Sequence, residues 1–248
     1  MDLILYITMF IMGTVLGSFF TLAVYRIPLK KDITHERSFC PNCNHRLEFF
    51  DLIPILSYLF LGGKCRYCKQ KIRPRYLLLE VLSGIIFMLF YISLKIDILN
   101  IDINKLAYFI FGMFYISTLF IIAGIEKEKH FIPKSLLLFG LIISLLYIIY
   151  LYIIHVSIYK YVIYSILMLL FVILNKKQNY SLQILALIMF ILIGTNEEIS
   201  ALGIIVTLIA IALEKFFKSK NNKKNIPIGF YLCITNVLLL LLQNFILK

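Results

Sequence analysis

The chain has 248 residues, 61% of them hydrophobic, with a mean hydropathy of +0.93 and a formal net charge of +12. Soluble domains are about 45–50% apolar, so a water-soluble enzyme or binding module is excluded. The basic balance would suit nucleic acid. The Lys and Arg residues cluster between apolar runs, however, which points to membrane orientation instead and excludes that partner.

In chain order, the first apolar run is Leu3–Tyr25. Only Asp2 and no basic residue precedes it, and it is too long for a secretory signal core, so residues 1–25 read as a retained first transmembrane helix. Residues 26–76 follow as the one sizeable soluble segment, with four of the five Cys and four of the six Pro. A segment of this size buries too little apolar surface to fold unaided and needs a staple.

That staple is the pair Cys40-x2-Cys43 and Cys65-x2-Cys68. Each CxxC turn offers two thiolates to one ion, and four thiolates suit tetrahedral zinc. Pro41 and Asn42 lie in the first turn, Gly62-Gly63-Lys64 leads into the second, and Lys64, Arg66, Lys69 and Lys71 offset the negative charge of such a centre. Four ligands leave no open position, so the metal role is structural. The alternatives are an iron–sulfur cluster, which nothing else in the chain supports, and free core cysteines. Cys233 lies inside the last apolar run as a small apolar residue, and His45 reads as a surface residue.

Seven further apolar runs follow: Leu77–Leu94, Leu106–Ile125, Ser135–Ile154, Tyr161–Asn175, Tyr180–Thr195, Ile199–Leu213 and Ile226–Leu247. Leu77–Leu94 carries Glu80, and Tyr180–Thr195 is short and carries Gln183. A span needs about 20 apolar residues, and with no water to satisfy the backbone the spans are helices. The fold expected is therefore an all-α polytopic membrane protein of about eight transmembrane helices. A small cytoplasmic zinc-binding loop domain (26–76) follows the first helix, and a seven-helix membrane domain spans 77–248. Asn221-Asn222-Lys223-Lys224-Asn225 reads as a solvated connector.

With the N-terminus outside, residues 26–76, 126–134, 176–180 and 214–225 share one side and hold 21 of the 25 Lys and Arg. This positive-inside bias makes that side cytoplasmic, with some attraction to anionic lipid. It also places the cysteines where disulfides are disfavoured.

Gly17-Ser18-Phe19, Tyr25-Arg26-Ile27-Pro28, Cys40-Pro41-x-Cys43, Asp51-x-Ile53-Pro54-x-Leu56-Ser57, Gly63-Lys64-Cys65-Arg66-x-Cys68, Arg73-x-Arg75-Tyr76 and Glu80 occur in that order. The run resembles the type IV prepilin peptidase family, and a weaker match continues to Ile226-Pro227-x-Gly229. The resemblance implies an eight-span enzyme of the inner or plasma membrane that cuts the leader from prepilins or pseudopilins at the cytoplasmic face. It also implies N-methylation of the new terminus from S-adenosylmethionine, associated with the zinc-bearing loop. The implied partners are prepilin-type signal segments and the lipid bilayer.

The family's peptidase uses two aspartates. Where the first belongs, this chain has Glu126, with the spacing to Pro133 kept and Lys134 after the proline. The alignment sets Ser181 at the second, with Gln178-Asn179-Tyr180 in place of a glycine-rich turn and Gln183-Ile184-Leu185-Ala186 following. Thr21 replaces the family's asparagine after Gly-Ser-Phe-x. No Asp lies beyond Asp102. Aspartic proteolysis needs two carboxylates sharing a proton, one activating water and the other donating to the scissile carbonyl. A serine fills neither role. Glu126 can serve as one carboxylate, although its extra methylene moves the group by roughly 1.5 Å. The alternative for Glu126 is an interfacial acid paired with Lys127, Lys129 or His130. Glu128 does not face Glu126. Glu197 and Glu198 belong to the opposite membrane face, about 30 Å away. Glu80 and Glu214 are left as candidates for a second acid. Two functions follow: an active leader peptidase and methyltransferase, or a protease-dead relative that binds pilin-like signal segments or keeps only methylation.

Overall fold

Apolar runs bounded by Lys, Arg and Pro become helices, because each run must satisfy its own backbone hydrogen bonds. The computed structural model describes residues 2–33, 35, 37–97, 100, 102–175, 179–217 and 226–246. The 221–225 connector, Gln178, and Leu247 and Lys248 lie outside the described residues. The described residues hold nine α-helices and, in place of strands, two isolated antiparallel bridges. The helices are α1 (Asp2–Arg26), the short α2 (Leu56–Phe60), α3 (Arg75–Leu94), α4 (Ile103–Lys129) and α5 (Lys134–Ile153). After them come α6 (Tyr159–Leu174), α7 (Tyr180–Gly194), α8 (Glu197–Phe217) and α9 (Ile228–Ile246). Single 3₁₀ turns cover Ile27–Leu29 and Phe49–Asp51.

The expected all-α membrane architecture is observed. Six of the helices are long and apolar enough to cross a membrane, and α6 and α7 are shorter, at 16 and 15 residues. At 1.5 Å per residue those two reach about 22–24 Å, short of a hydrocarbon core of about 30 Å. Helix α4 is the opposite case. Its 27 residues continue one turn past the Ile125 boundary, and that extra turn carries Glu126.

The chain forms two compact units, residues 1–95 and 96–248. In the first, α1 packs along α3. A Cβ on Gly13 would lie 2.8 Å from the Ser83 carbonyl, and one on Gly17 would lie 2.9 Å from the Glu80 Cα. The two backbones therefore touch through a small-xxx-small seam, the contact by which lipid-embedded helices gain van der Waals packing. Arg26 closes α1 and is buried, donating to the carbonyls of Asp32 (2.9 Å) and Arg37 (3.2 Å), so it gathers the following loop beneath the helix.

In the second unit α9 packs on α4 and α8, α5 on α4, α6 and α7, and α6 on α7. Tyr115, Ile116, Leu119, Ile122, Leu187 and Phe190 are enclosed at its centre. Ile142, Leu146, Ile149, Ile166 and Leu208 face outward, as lipid-facing side chains should. A buried polar chain ties the middles of α4 and α9 to the junction of α7 and α8: Tyr115 donates to Asn236 (2.6 Å), the Asn236 amide to Thr195 (3.4 Å), and Thr195 meets Ser200 (2.8 Å).

Candidate metal centre and membrane acid site

The cysteine loop is built from two copies of one local geometry. In the first, the Cys40 N–H donates to the His45 carbonyl (3.0 Å) and the Asn44 N–H to the Cys40 carbonyl (2.8 Å). In the second, the Cys65 N–H donates to Gln70 (2.9 Å) and the Lys69 N–H to Cys65 (3.0 Å). Asn44 and Lys69 both take positive φ, 55° and 60°, and the bridges Phe39–Arg46 and Lys64–Lys71 close the two knuckles. In the sequence this repeat shows only as Cys-x2-Cys, since Asn44 suits the left-handed region but Lys69 does not signal it.

The knuckles bring all four sulfurs, of Cys40, Cys43, Cys65 and Cys68, within 4.8 Å of one another, with Cys40 and Cys68 at 3.9 Å. A tetrahedron with Zn–S bonds of about 2.3 Å has edges of about 3.8 Å, so the four thiols fit one zinc ion. The Gln70 N–H and then the Asn42 amide hold the Cys68 thiol down to about 6, which makes it a thiolate at neutral pH, the form a metal takes. Cys43 is approached by the His45 N–H, but desolvation and the neighbouring Cys40 and Cys68 push it up to about 11. A bound dication would reverse that repulsion.

Asp51 links the knuckles to the rest of the loop. It accepts from Arg66 Nε (2.6 Å) and from the Tyr67 hydroxyl (3.3 Å), while the Tyr67 ring lies 3.6 Å from that of His45. Desolvation opposes ionisation of Asp51, yet Arg66, the Glu48 N–H and Tyr67 outweigh it and hold the carboxyl below the usual carboxylate range. His45 is thus an exposed stacking partner, as its sequence context suggests. Glu80, a candidate second acid, accepts from the Ile55 N–H (2.8 Å). Ile55 sits at φ 62°, a conformation costly for a β-branched residue, and Glu80 is the anchor that holds it.

In the second unit Glu126 is fully enclosed on the last turn of α4. Its Oε1 accepts from the Tyr180 hydroxyl and from the Gly229 N–H (2.9 Å), and the Phe230 N–H also approaches the carboxylate. Tyr180 in turn accepts from the Ile228 N–H (3.0 Å). The first N–H groups of α9 have no intrahelical acceptor and carry the positive end of the helix dipole, so an acid and a hydroxyl from two other helices cap them. A Cβ on Gly229 would collide with Oε2 and lie 3.0 Å from Cδ, so only glycine admits the carboxylate here. Oε2 itself is buried without a hydrogen-bond partner.

The expected pairing of Glu126 with Lys127, Lys129 or His130 is not what forms. Lys127 lies over the Phe230 ring at 4.5 Å, and the His130 N–H closes the helix onto the Glu126 carbonyl (2.8 Å). Ser181, the aligned counterpart of the second aspartate, is exposed on the first turn of α7, and its neighbour Tyr180 is the residue that meets Glu126. Glu214 accepts from Tyr231 (2.8 Å), and Glu197 from Tyr164 (3.1 Å) beside Lys160 (3.7 Å). Gln183 accepts from the buried Ile132 N–H (2.9 Å) and so fixes the turn between α4 and α5. Sequence reasoning missed Tyr180 and the clamp formed by Gln183. The available signals were a glutamine inside an apolar run and the Ile226-Pro227-x-Gly229 match.

Residues 11–94 match the family pattern described as the bacterial peptidase A24 N-terminal domain. The chain is similar to a prepilin leader peptidase/N-methyltransferase of Klebsiella pneumoniae, 32% identical over 138 residues, covering 52% of this chain and 56% of that protein. Proteins of the same description from Vibrio cholerae and Bacillus subtilis are 37% identical over 102 residues and 36% over 133. Those matches cover 38% and 54% of this chain, and 40% and 50% of the relatives. The chain thus spans about half the length of these relatives. No solved structure matches.

Proposed function

We propose, for a chain whose residues 11–94 belong to the bacterial peptidase A24 N-terminal domain family, a multi-pass membrane protein that binds prepilin-type signal segments at the cytoplasmic face without paired-carboxylate proteolysis. The observation that carries this reading is the commitment of Glu126. One carboxylate oxygen is spent on Tyr180 and on the Gly229 N–H in the first turn of α9, and a phenol rather than a second carboxylate faces it. A phenol donates a proton but does not share one with Glu126 in the way two acids do. The charge distribution supports the cytoplasmic placement of the basic loops. The zinc loop supports a structural metal that holds the soluble segment together.

A second reading rests on Glu126 Oε2, a buried oxygen with no hydrogen-bond partner. In that reading Glu126 is the base of a leader peptidase, and N-methylation from S-adenosylmethionine follows on the zinc-bearing unit, as the resemblance implies.

The test is co-expression with a prepilin-type substrate, with its N-terminal mass measured and its retention on the purified protein followed. An uncut substrate that co-purifies is the expected result. Leader removal that is lost in Glu126→Gln overturns the binding reading in favour of the second, and added methyl mass on the product assigns the transferase as well. A substrate neither cut nor retained removes both.

A further inference from the structure

Beside the second knuckle lies a cleft of about 360 Å³, separate from the cysteine sulfurs. Lys64, Lys71 and Arg73 line it, with Tyr58, Gly63 and Pro74, and no acidic residue is in its wall. Lys64 and Lys71 are directly opposite each other in the antiparallel bridge. Cross-strand like charges at such a position destabilise the pairing unless an anion neutralises them; the thiolate centre is one such anion, and an anion in the cleft would be a second. Among the described residues none of the three cations forms an ion pair, and Asp51 is already committed to Arg66 and Tyr67.

The walls are held in place by the backbone. The Gly63 N–H donates to the Tyr58 carbonyl (2.8 Å), the Ile72 N–H to Gly63 (2.7 Å), and the Tyr58 hydroxyl to Ile72 (3.3 Å). Gly63 takes φ 68°, and a Cβ there would lie 2.9 Å from the Tyr58 ring, so the glycine keeps the floor of the cleft flush against tyrosine. Pro74 follows Arg73 directly, and the membrane helix α3 begins at Arg75. The three cations therefore sit at the level where a helix leaves the hydrocarbon, the depth of lipid headgroups.

We propose that this cleft binds a phosphate group, presented by an anionic lipid headgroup or by soluble phosphate. Two lysines and an arginine lining one opening suit a multi-oxygen anion, since a guanidinium fork can match two phosphate oxygens. The site does not depend on whether Glu126 is catalytic.

The test uses the full zinc-loaded chain in two kinds of nanodisc. In phosphatidylcholine discs, inorganic phosphate is titrated at constant ionic strength. In discs with added phosphatidylglycerol, lipid retained on the protein is counted by native mass spectrometry. Saturable phosphate binding, or selective retention of phosphatidylglycerol, identifies the source. In either arm the K64Q/K71Q/R73Q variant should lose at least about tenfold in affinity, and K64R/K71R should retain it. A zinc content equal to wild type shows that the variant loop is folded, and K30Q/K31Q controls for bulk charge. The proposal is overturned if neither arm shows binding above the triple variant, or if K30Q/K31Q loses as much as K64Q/K71Q/R73Q.

Discussion

The cysteine loop and the Glu126 site both descend from motifs legible in the chain, yet they use their functional side chains in opposite ways. In the loop, backbone hydrogen bonds within each knuckle supply the architecture, and the four thiols are left to meet one another. At Glu126 the functional group is itself the architecture, because a carboxylate oxygen and a tyrosine hydroxyl cap the start of α9. An acid at the right place in a sequence can thus be committed to holding a helix end. Thiols whose knuckles are shaped by their own backbone stay free for a metal and staple the loop only through that shared ion.

The largest expected effect tests the loop side of this contrast. Structural zinc in small thiolate sites contributes about 10–16 kcal/mol to folding. Cys40→Ser should therefore lower bound zinc from about one ion per chain to almost none and expose residues 26–74 to limited proteolysis. Far-UV helicity should hardly change. A zinc-free loop that resists protease would show that the backbone bonds of the knuckles suffice by themselves and would refute the metal staple.

On the other side, Gly229→Ala should destabilise by about 1–3 kcal/mol, since its Cβ collides with the enclosed carboxylate. Thermal unfolding in detergent reads this as a lower midpoint at unchanged zinc content. Glu126→Ala should cost a similar or smaller amount, about 1–3 kcal/mol, by stranding the Gly229 N–H and the Tyr180 hydroxyl. Glu126→Gln keeps an acceptor and should recover most of that loss. If Ala and Gln prove equally stable and both abolish a measured cleavage, Glu126 is a catalytic acid and the capping argument fails.

The smallest effect concerns Asp51. Its carboxyl is held below the ordinary range, so its contribution is complete above an unfolded value of about 3.9 and is lost as pH falls through the lower folded value. Asp51→Asn should weaken loop protection by at most about 1 kcal/mol near neutral pH. The difference from wild type should begin to shrink as pH falls below about 4 and vanish once pH is below the lowered folded value. A difference that persists in acid would assign the effect to packing against Tyr67 rather than to the charge.

By itself the sequence determined the helical membrane class, the thiol cluster and Glu126 as the acid that stands where the family's first aspartate belongs. Lipid leaves an apolar run no alternative to helix, and the short CxxC spacing allows little besides a shared ion. Only the tertiary structure decided what faces that acid. Each residue turns a helix by about 100°, so an alignment one position off exchanges exposed Ser181 for inward Tyr180. The Gly229 contact joins positions 103 residues apart, and no local pattern encodes it. Gln183 and Arg26 were polar blemishes at the edges of apolar runs in the sequence; packed, they carry the α4–α5 turn and the start of the loop. Periodicity reports which face of a segment is apolar, while the partner of a buried polar atom is fixed by helices that meet only in the folded chain.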